Sequence, residues 1–355
     1  MSWTWVVSTA RWLSVQALGT VLWAGAWMVA PPARAAGGLP EDCVLCHTGA
    51  IGKHDKVALT LKHDCADCHR DIGPRHGSEG DEHEAAINAA PVREELAFPQ
   101  FSRESRLGEA PNPMVIIPAG PFIMGTDNRL PDEGPAHTVD LPAFAIDLYE
   151  VTNLQYKAFM DATGHRSPAH FRNRTFPAGK ADHPVTFVTW DDARAYCAWA
   201  GKRLPTDEEW EKAARGADGR MFPWGNQFDI NKANTPQRWG RLGHNGDTTP
   251  VGAFPDGRSP YGLYDMSGNV WEWTASWYQP YPGNVHPSES YGEKYKVLKG
   301  GSWWDCSFYK CGISAPVFNR AFFLRSTRNK SFGFRCAADA AAVPEAAVWK
   351  KEEGQ

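Results

Sequence analysis

Eight cysteines constrain the fold of this chain more than any other feature, because they fall into two separate groups of four. The first group forms two Cys-x-x-Cys-His units, at 43–47 and 65–69. In such a unit two thiols reach the vinyl groups of one porphyrin, and the histidine that follows ligates the iron. The pattern predicts two covalently attached c-type haems, held by Cys43, Cys46, His47, Cys65, Cys68 and His69.

The second axial ligand of each iron has to come from elsewhere in this short segment. The candidate distal ligands are His54, His63, His76 and His83. The sequence leaves open whether two of them complete six-coordinate, electron-transferring iron or one distal side stays open to small ligands. A zinc site made of two Cys-x-x-Cys knuckles is the competing interpretation, but the histidine directly after each pair favours haem.

The N-terminus has the pattern of an export signal. Arg11 precedes an apolar run at 12–30, and Ala33-Arg34-Ala35 supplies the small-x-small pattern of a cleavage site. We therefore predict a signal peptide over 1–35 and a location in the periplasm, where haem attachment and disulfides are both permitted. The alternative is an uncleaved leader that stays as a membrane anchor, and only then does the membrane become a partner.

Composition and charge set limits on partners and domain organisation. The 355 residues are 42% hydrophobic and carry a formal net charge of −4, with scattered lysines and arginines, which argues against a nucleic-acid partner. We predict a small dihaem cytochrome c segment at 37–83, a proline-punctuated linker at 84–113, a large domain at 114–339 and a tail at 340–355. Oligomeric state is not determined by the sequence.

Capping signals predict three helices in the large domain. Each begins after a threonine and ends at a glycine, and two of the threonines are followed by Gln or Glu three residues later. The predicted starts and stops are Thr152 and Gly164, Thr189 and Gly201, and Thr206 and Gly216. After Pro223 the chain is rich in Gly, Pro, Asn and Trp, so little regular structure is expected and bound metal is one source of order.

A series of short motifs runs in order along the large domain. They are Ile117–Gly125, Tyr149–Asn153, Gly201–Thr206, Pro223–Gly225, Tyr261–Asp265, Gly268–Trp273, Gly300–Ser302 and Gly333–Cys336. Together they resemble the formylglycine-generating enzyme, or sulfatase-modifying factor, family. The resemblance implies an α+β domain akin to C-type lectins, with small twisted sheets and low regular secondary structure.

The resemblance also implies roles for the last four cysteines. Family members with cysteines at the places of Cys197 and Cys336 pair them in a disulfide. Active family enzymes carry two cysteines shortly after Gly-Gly-Ser, with four residues between them. The two thiolates bind Cu(I), and O2 and a substrate thiol react at that metal. This implies Cys306 and Cys311 as copper ligands and, with Ser302, as catalytic residues.

The setting of the cysteine pair departs from the family pattern. One additional residue separates Ser302 from Cys306, Asp305 places a carboxylate beside the first thiol, and the family's arginine-rich stretch after Cys311 is replaced. A local disulfide between Cys306 and Cys311 competes with the copper site, because oxidising conditions favour it. Both alternatives stay open at this point.

Calcium is the other metal that the resemblance implies. Asp265, Gly268, Val270 and Glu272 fall on the family's calcium loop, with two carboxylates and two backbone carbonyls as hard oxygen ligands. A hydrogen-bonded turn without metal is the alternative. A second family site has its first ligands at Asn234 and Thr235.

Two functions are consistent with these expectations. In the first, the protein is an exported oxidase that converts a cysteine of a periplasmic protein substrate, or a related thiol, with O2, while the haems supply electrons to the copper. In the second, it is a non-enzymatic electron-transfer or accessory factor whose redox partner is a periplasmic respiratory copper enzyme such as a nitrite reductase. An ergothioneine-type sulfoxide synthase is disfavoured, because the His-x-x-x-His-x-Glu iron motif does not occur in the sequence.

Overall fold

A computed structural model describes residues 105–242, 245–304 and 315–350. The predicted signal peptide, the haem segment with all its candidate ligands, most of the linker, and both Cys306 and Cys311 lie outside these ranges. Within the ranges described, no helix is long and apolar enough to cross a membrane.

Three small sheets form the framework of the large domain. Strands β1 (Met114–Ile117), β4 (Phe144–Asp147) and β9 (Ala337–Asp339) make one sheet with β4 in the middle. Strands β2 (Gly120–Met124) and β3 (His137–Leu141) make an antiparallel pair. The third sheet has the order β7-β6-β5-β8, from β5 (Trp271–Trp277), β6 (Lys296–Lys299), β7 (Ala321–Phe323) and β8 (Phe332–Gly333).

Strand β5 fixes the register of the third sheet. Glu272 lies opposite Lys299 of the antiparallel strand β6 and opposite Gly333 of the parallel strand β8. Every residue of β6 is buried, so the strand runs through the interior. The strands are short and long irregular segments connect them, which confirms the expected α+β fold with modest helix and sheet content.

In the described residues, four α-helices follow one another along the chain between β4 and β5: α1 (Asn153–Thr163), α2 (Trp190–Trp199), α3 (Asp207–Arg215) and α4 (Pro236–Leu242). The first three begin directly after Thr152, Thr189 and Thr206, which confirms the predicted starts, and each threonine takes part in a capping box. At Thr189 the reciprocal partner is Asp192, since a shorter carboxylate also reaches back to the N-cap amide.

Two apolar clusters hold the helices against the sheets. One packs α1 and α2 on the third sheet and includes Tyr156, Tyr196, Trp271, Trp273 and Phe334. The other packs α3 on the first sheet and is centred on Trp210, which is fully buried. Aromatic side chains make up much of the first cluster, because each buries a large apolar area from a short element. The second cluster is mainly aliphatic around Trp210 and Phe144.

A disulfide joins Cys197 of α2 to Cys336, which lies between β8 and β9. The two residues are 139 positions apart and both are fully buried. In the chain-entropy model, a link of this span restricts the unfolded chain and contributes up to about 5 kcal/mol to stability. It ties α2 to the segment that follows β8.

Asp192 predicts a measurable acid dependence of stability. Burial raises the pKa of Asp192, but hydrogen bonds from Arg166 and Thr189 outweigh it and bring the pKa to about 2. Since this is below the value of an unfolded aspartate, the carboxylate stabilises the fold above about pH 4, and the contribution is lost as pH falls towards 2. Asp192→Asn should lower the free energy of unfolding at pH 7 by about 1–3 kcal/mol.

Denaturant unfolding between pH 2 and pH 7 measures this effect. Asp191→Asn is the matched control, because the neighbouring Asp191 is half exposed and makes a longer ion pair with Arg325, at 3.5 Å. Asp192→Asn should flatten the acid limb of the stability curve while Asp191→Asn keeps it. Parallel curves for Asp192→Asn and the wild-type chain would contradict the assignment.

Candidate functional site

Ser302 lies at the centre of the candidate site and follows shortly after the end of strand β6. Gly300 and Gly301 follow the strand with φ values of 95° and 74°, a conformation that favours glycine. A Cβ at Gly300 would also lie 3.1 Å from the Trp210 ring. The tight turn leaves Ser302 fully buried, with its Oγ accepting the Trp304 amide at 3.3 Å.

Three tryptophans and a lysine form an aromatic patch beside Ser302, consisting of Trp239, Trp303, Trp304 and Lys330. Trp239 and Trp303 pack together and Trp304 packs against them. The Lys330 Nζ lies 3.7 Å from the ring centre of Trp304 and 4.9 Å from that of Trp303, a cation–π arrangement. Of the residues in this part of the site, sequence analysis predicted only Ser302. The two consecutive tryptophans directly after Gly-Gly-Ser were the pattern that could have indicated the aromatic patch.

A polar group at Asp247 lies next to this patch. Lys180 Nζ donates to Asp247 Oδ2 at 2.7 Å, and the ring Nδ1 of His183 lies 2.8 Å from Thr248 Oγ1. Burial and the nearby Lys180 charge lower the pKa of His183 to about 3, and burial lowers that of His170 to about 4. Both imidazoles are therefore neutral near pH 7. Sequence reasoning did not find these histidines, since nothing in their spacing is distinctive.

Three buried carboxylates lie around one buried guanidinium, that of Arg335. Arg335 binds Glu272 through both carboxylate oxygens, at 2.7 and 2.8 Å, and Trp210 Nε1 also donates to Glu272 at 2.8 Å. Glu150 accepts from Asn269 Nδ2 at 2.6 Å and from the Val270 amide at 3.2 Å. Asp265, the third member, accepts the Gly252 amide at 2.7 Å.

Negative charge is in excess in this buried cluster. If Glu150, Asp265 and Glu272 are all ionised, Arg335 compensates only one of the three charges. Burial raises the pKa of Asp265 to about 6, and burial together with the charges of Asp265 and Glu272 raises the pKa of Glu150 well above its usual value. The cluster thus favours either bound protons or a bound cation.

The predicted calcium residues lie within this cluster. Asp265 and Asn269 have φ values of 58° and 59°, so the loop is tightly curled, and Gly268 has no room for a side chain because a Cβ would lie 2.4 Å from the Asn234 carbonyl oxygen. In the part of the chain that the structure describes, no three His, Cys, Asp or Glu side chains are arranged to hold a metal ion. Glu150 was missed, although it belongs to the Tyr149–Asn153 motif.

The residues of the second predicted calcium site connect the polar group to the loop. Asn234 Nδ2 donates to the Asp247 carbonyl at 2.9 Å and to Asn269 Oδ1 at 3.1 Å, while Asn234 Oδ1 accepts from Trp239 Nε1 at 2.6 Å. Thr235 is fully buried beside it. The amide of Asn234 therefore links the aromatic patch with the curled loop.

Comparison with known proteins assigns the large domain. The model of the sulfatase-modifying factor enzyme 1-like domain matches residues 98–340. The chain belongs to the sulfatase-modifying factor family. The match begins after the two Cys-x-x-Cys-His units, which therefore lie outside the family domain.

Relatives in this family differ in activity. The inactive C-alpha-formylglycine-generating enzyme 2 of Mus musculus is 37% identical, covering 68% of this chain and 90% of the relative. The formylglycine-generating enzyme of Bos taurus is 34% identical, covering 68% and 80%. The solved structure of PvdO from Pseudomonas aeruginosa is 31% identical, with a TM-score of 0.52 over 64% of this chain and 94% of that one. The active relatives support an oxidase-type function.

The charge excess predicts that two substitutions in the buried cluster lower stability by very different amounts. Arg335→Gln removes the one positive charge and should cost about 3–5 kcal/mol, because three carboxylates stay buried without it. Glu150→Gln removes one negative charge and keeps an acceptor for the Val270 amide but loses the hydrogen bond from Asn269, so it should cost only about 1–2 kcal/mol. Denaturant unfolding in calcium-free buffer at pH 7 measures both, and equal losses would contradict the charge excess.

Proposed function

We propose that this protein is an exported, haem-bearing oxidase of the formylglycine-generating type. Cys306 and Cys311 hold Cu(I) as a bis-thiolate, and a cysteine of a periplasmic protein, or a related thiol, is the substrate. The observation that carries the proposal is the conjunction of a family domain over 98–340 with two cysteines that are separated by four residues and follow shortly after the buried Ser302. Two soft thiolates are the ligands that Cu(I) prefers.

The overall reaction defines what has to be supplied. The side-chain CH2–SH becomes CHO and sulfur leaves as H2S. One molecule of O2, with two electrons and two protons, provides the carbonyl oxygen and one water. Copper, when bound, supplies the one-electron chemistry with O2. Two haems at Cys43–His47 and Cys65–His69 would carry one electron each, so the proposed haem segment would hold the two electrons that one turnover consumes.

The described residues contribute shape and polarity to such a site. The turn at Gly300 and Gly301 brings Ser302 to the start of the cysteine-bearing segment, and its hydroxyl is an oxygen donor and acceptor in a buried position. Trp303 and Trp304 cover one side with apolar surface that excludes water. His170 and His183 add neutral imidazoles rather than charge.

Calcium is the structural ion in this proposal, bound by Asp265, Gly268, Val270 and Glu272. The uncompensated charge of the buried cluster supports a divalent cation there, and carboxylate and carbonyl oxygens are the ligands that Ca2+ prefers. Bound calcium would keep Asp265 ionised and the curled loop in place next to Ser302.

The second candidate function is a non-enzymatic electron-transfer or accessory factor for a periplasmic respiratory copper enzyme. The similarity to an inactive mammalian relative favours it, because a protein of this fold need not catalyse the reaction. Two departures from the family pattern also favour the accessory factor over the oxidase. They are the longer spacing between Ser302 and Cys306 and the carboxylate of Asp305, which disfavours a neighbouring thiolate. In this alternative the large domain is a docking scaffold for the haem segment's partner.

Removal of calcium should destabilise the large domain. A ligand at one hundred times its dissociation constant adds about 2.7 kcal/mol, so chelation should lower Tm by roughly 5–10 °C. Calorimetry with EDTA and with added Ca2+ measures the shift, and Asp265→Asn should abolish it. Asp256→Asn is the matched control, an exposed aspartate outside the loop. A Tm unaffected by calcium in the wild-type chain would contradict this part of the proposal.

Turnover separates the oxidase from the accessory factor. Protein loaded with haem and Cu(I) should oxidise a cysteine peptide with O2, faster when its haems are reduced, and formylglycine is detected as the aldehyde by mass spectrometry. The double variant Cys306→Ser, Cys311→Ser should lose copper and activity while keeping its haems and its Tm. Unchanged function in a partner assay with that variant would favour the accessory factor, and equal rates with oxidised and reduced haems would remove the electron coupling.

A further inference from the structure

Asp182 binds Ser105 and Arg106, the first residues that the structure describes, to the body of the large domain. Its two carboxylate oxygens accept from the Ser105 hydroxyl and, at 2.8 Å, from the Arg106 amide. The Ser105 hydroxyl in turn accepts the Gly108 amide at 2.9 Å, which closes a turn. The backbone carbonyl of Asp182 also accepts the Val251 amide at 2.9 Å. The first described residues are therefore fixed to the body of the domain.

The anchor is continuous with the candidate site. His183, directly after Asp182, contacts Thr248, and Lys180 pairs with Asp247. The Asp247 carbonyl is bound by Asn234, which holds Trp239 against Trp303. The charge of Asp247 also reaches Lys330, whose amine lies over Trp304. We call this region, made of Lys180, Asp247, Trp303, Trp304 and Lys330, the lysine–tryptophan face. Asp247 is exposed and Lys180, Trp304 and Lys330 are partly exposed, whereas Trp303 is buried against Trp304.

We propose that the haem segment of the same chain, 37–83, docks on the lysine–tryptophan face. This inference rests on the proposed haem attachment and deepens the proposed electron supply by naming where the donor sits. Trp303 directly follows Ser302, so a donor on this face lies at the start of the proposed copper-binding segment. Aromatic surface suits the exposed edge of a porphyrin, and lysines suit its propionates.

Charge and chain length both fit this occupant. Residues 37–83 contain nine acidic and five basic residues, a net charge of −4 before the haem propionates are added. The face carries Lys180 and Lys330 against the one carboxylate of Asp247, a net charge of +1, and the exposed Arg106 at the anchor adds a further positive charge. Only 21 residues separate His83 from Ser105, a tether of about 25 Å r.m.s. length if flexible. Such a tether gives an effective concentration in the millimolar range, so a weak contact is enough.

Zero-length carbodiimide cross-linking of the full-length, haem-loaded and copper-free protein tests the proposal. The reagent joins amines to carboxylates in direct contact, and mass spectrometry locates the links. Lys180 and Lys330 should link to carboxylates within 41–82, with a yield that falls as ionic strength rises. Lys294, which stacks on Tyr295 and shares none of the contacts described for the face, is the control amine and should not link to that segment.

Two variants at one position separate docking from mere proximity. Lys330→Arg keeps the charge but cannot be coupled, so the Lys180 links should persist. Lys330→Glu reverses the charge and should reduce the Lys180 links several-fold at equal haem content and Tm. Links confined to Lys180 and Asp247, links to Lys294 with equal yield, or an identical Lys180 yield in both variants would each overturn the proposal, as would a chain that carries no haem.

The cross-linking yield can be measured without copper and without turnover. The docking of the haem segment and the oxidase function can therefore be rejected independently of each other. Cross-links on the face together with a lack of oxidase activity would leave docking in place and reject the catalytic function. Haem-dependent turnover without these cross-links would reject docking and keep the catalytic function.

Discussion

The buried guanidinium of Arg335 is the interaction on which the rest of the described structure depends. It binds both oxygens of Glu272 on β5, and it also donates to the carbonyls of Asp147 at 3.1 Å and Tyr264 at 2.8 Å. One side chain thus connects the first sheet, the third sheet and the loop that leads into β5. Because Glu272 and Asp147 are buried, loss of the cation leaves several polar groups without compensation at once.

The carboxylates around Arg335 connect the framework of the sheets with the candidate site at Ser302. Glu272 pairs through the sheet with Lys299, the last residue of β6, and Ser302 follows three positions later. On the opposite side of Glu272, the surplus carboxylates Glu150 and Asp265 hold the curled loop that contacts Gly300 through the Gly268 amide. A cation bound in the cluster would therefore act on stability and on the position of Ser302 together. Structural charge and candidate site are parts of one network.

Family membership bounds the function without fixing it. Relatives with the same domain include a formylglycine-generating enzyme and an inactive counterpart, so the fold supports both catalysis and other roles. In this chain, two Cys-x-x-Cys-His units precede the family domain. From the anchor at Asp182, a series of contacts through Asp247, Asn234 and Trp239 leads to Trp303. The proposed docking gives the haems a role at the same site.

The sequence by itself determined the family, the starts of three helices at Thr152, Thr189 and Thr206, and the low content of regular structure. These follow from local chemistry, since a capping box or a glycine turn is encoded within a few residues. Only the tertiary structure decided that Glu150 joins Asp265 and Glu272 around Arg335, and that Lys330 lies over Trp303 and Trp304. Those groups come from distant parts of the chain, and their pKa values depend on burial and on neighbours that no local pattern specifies.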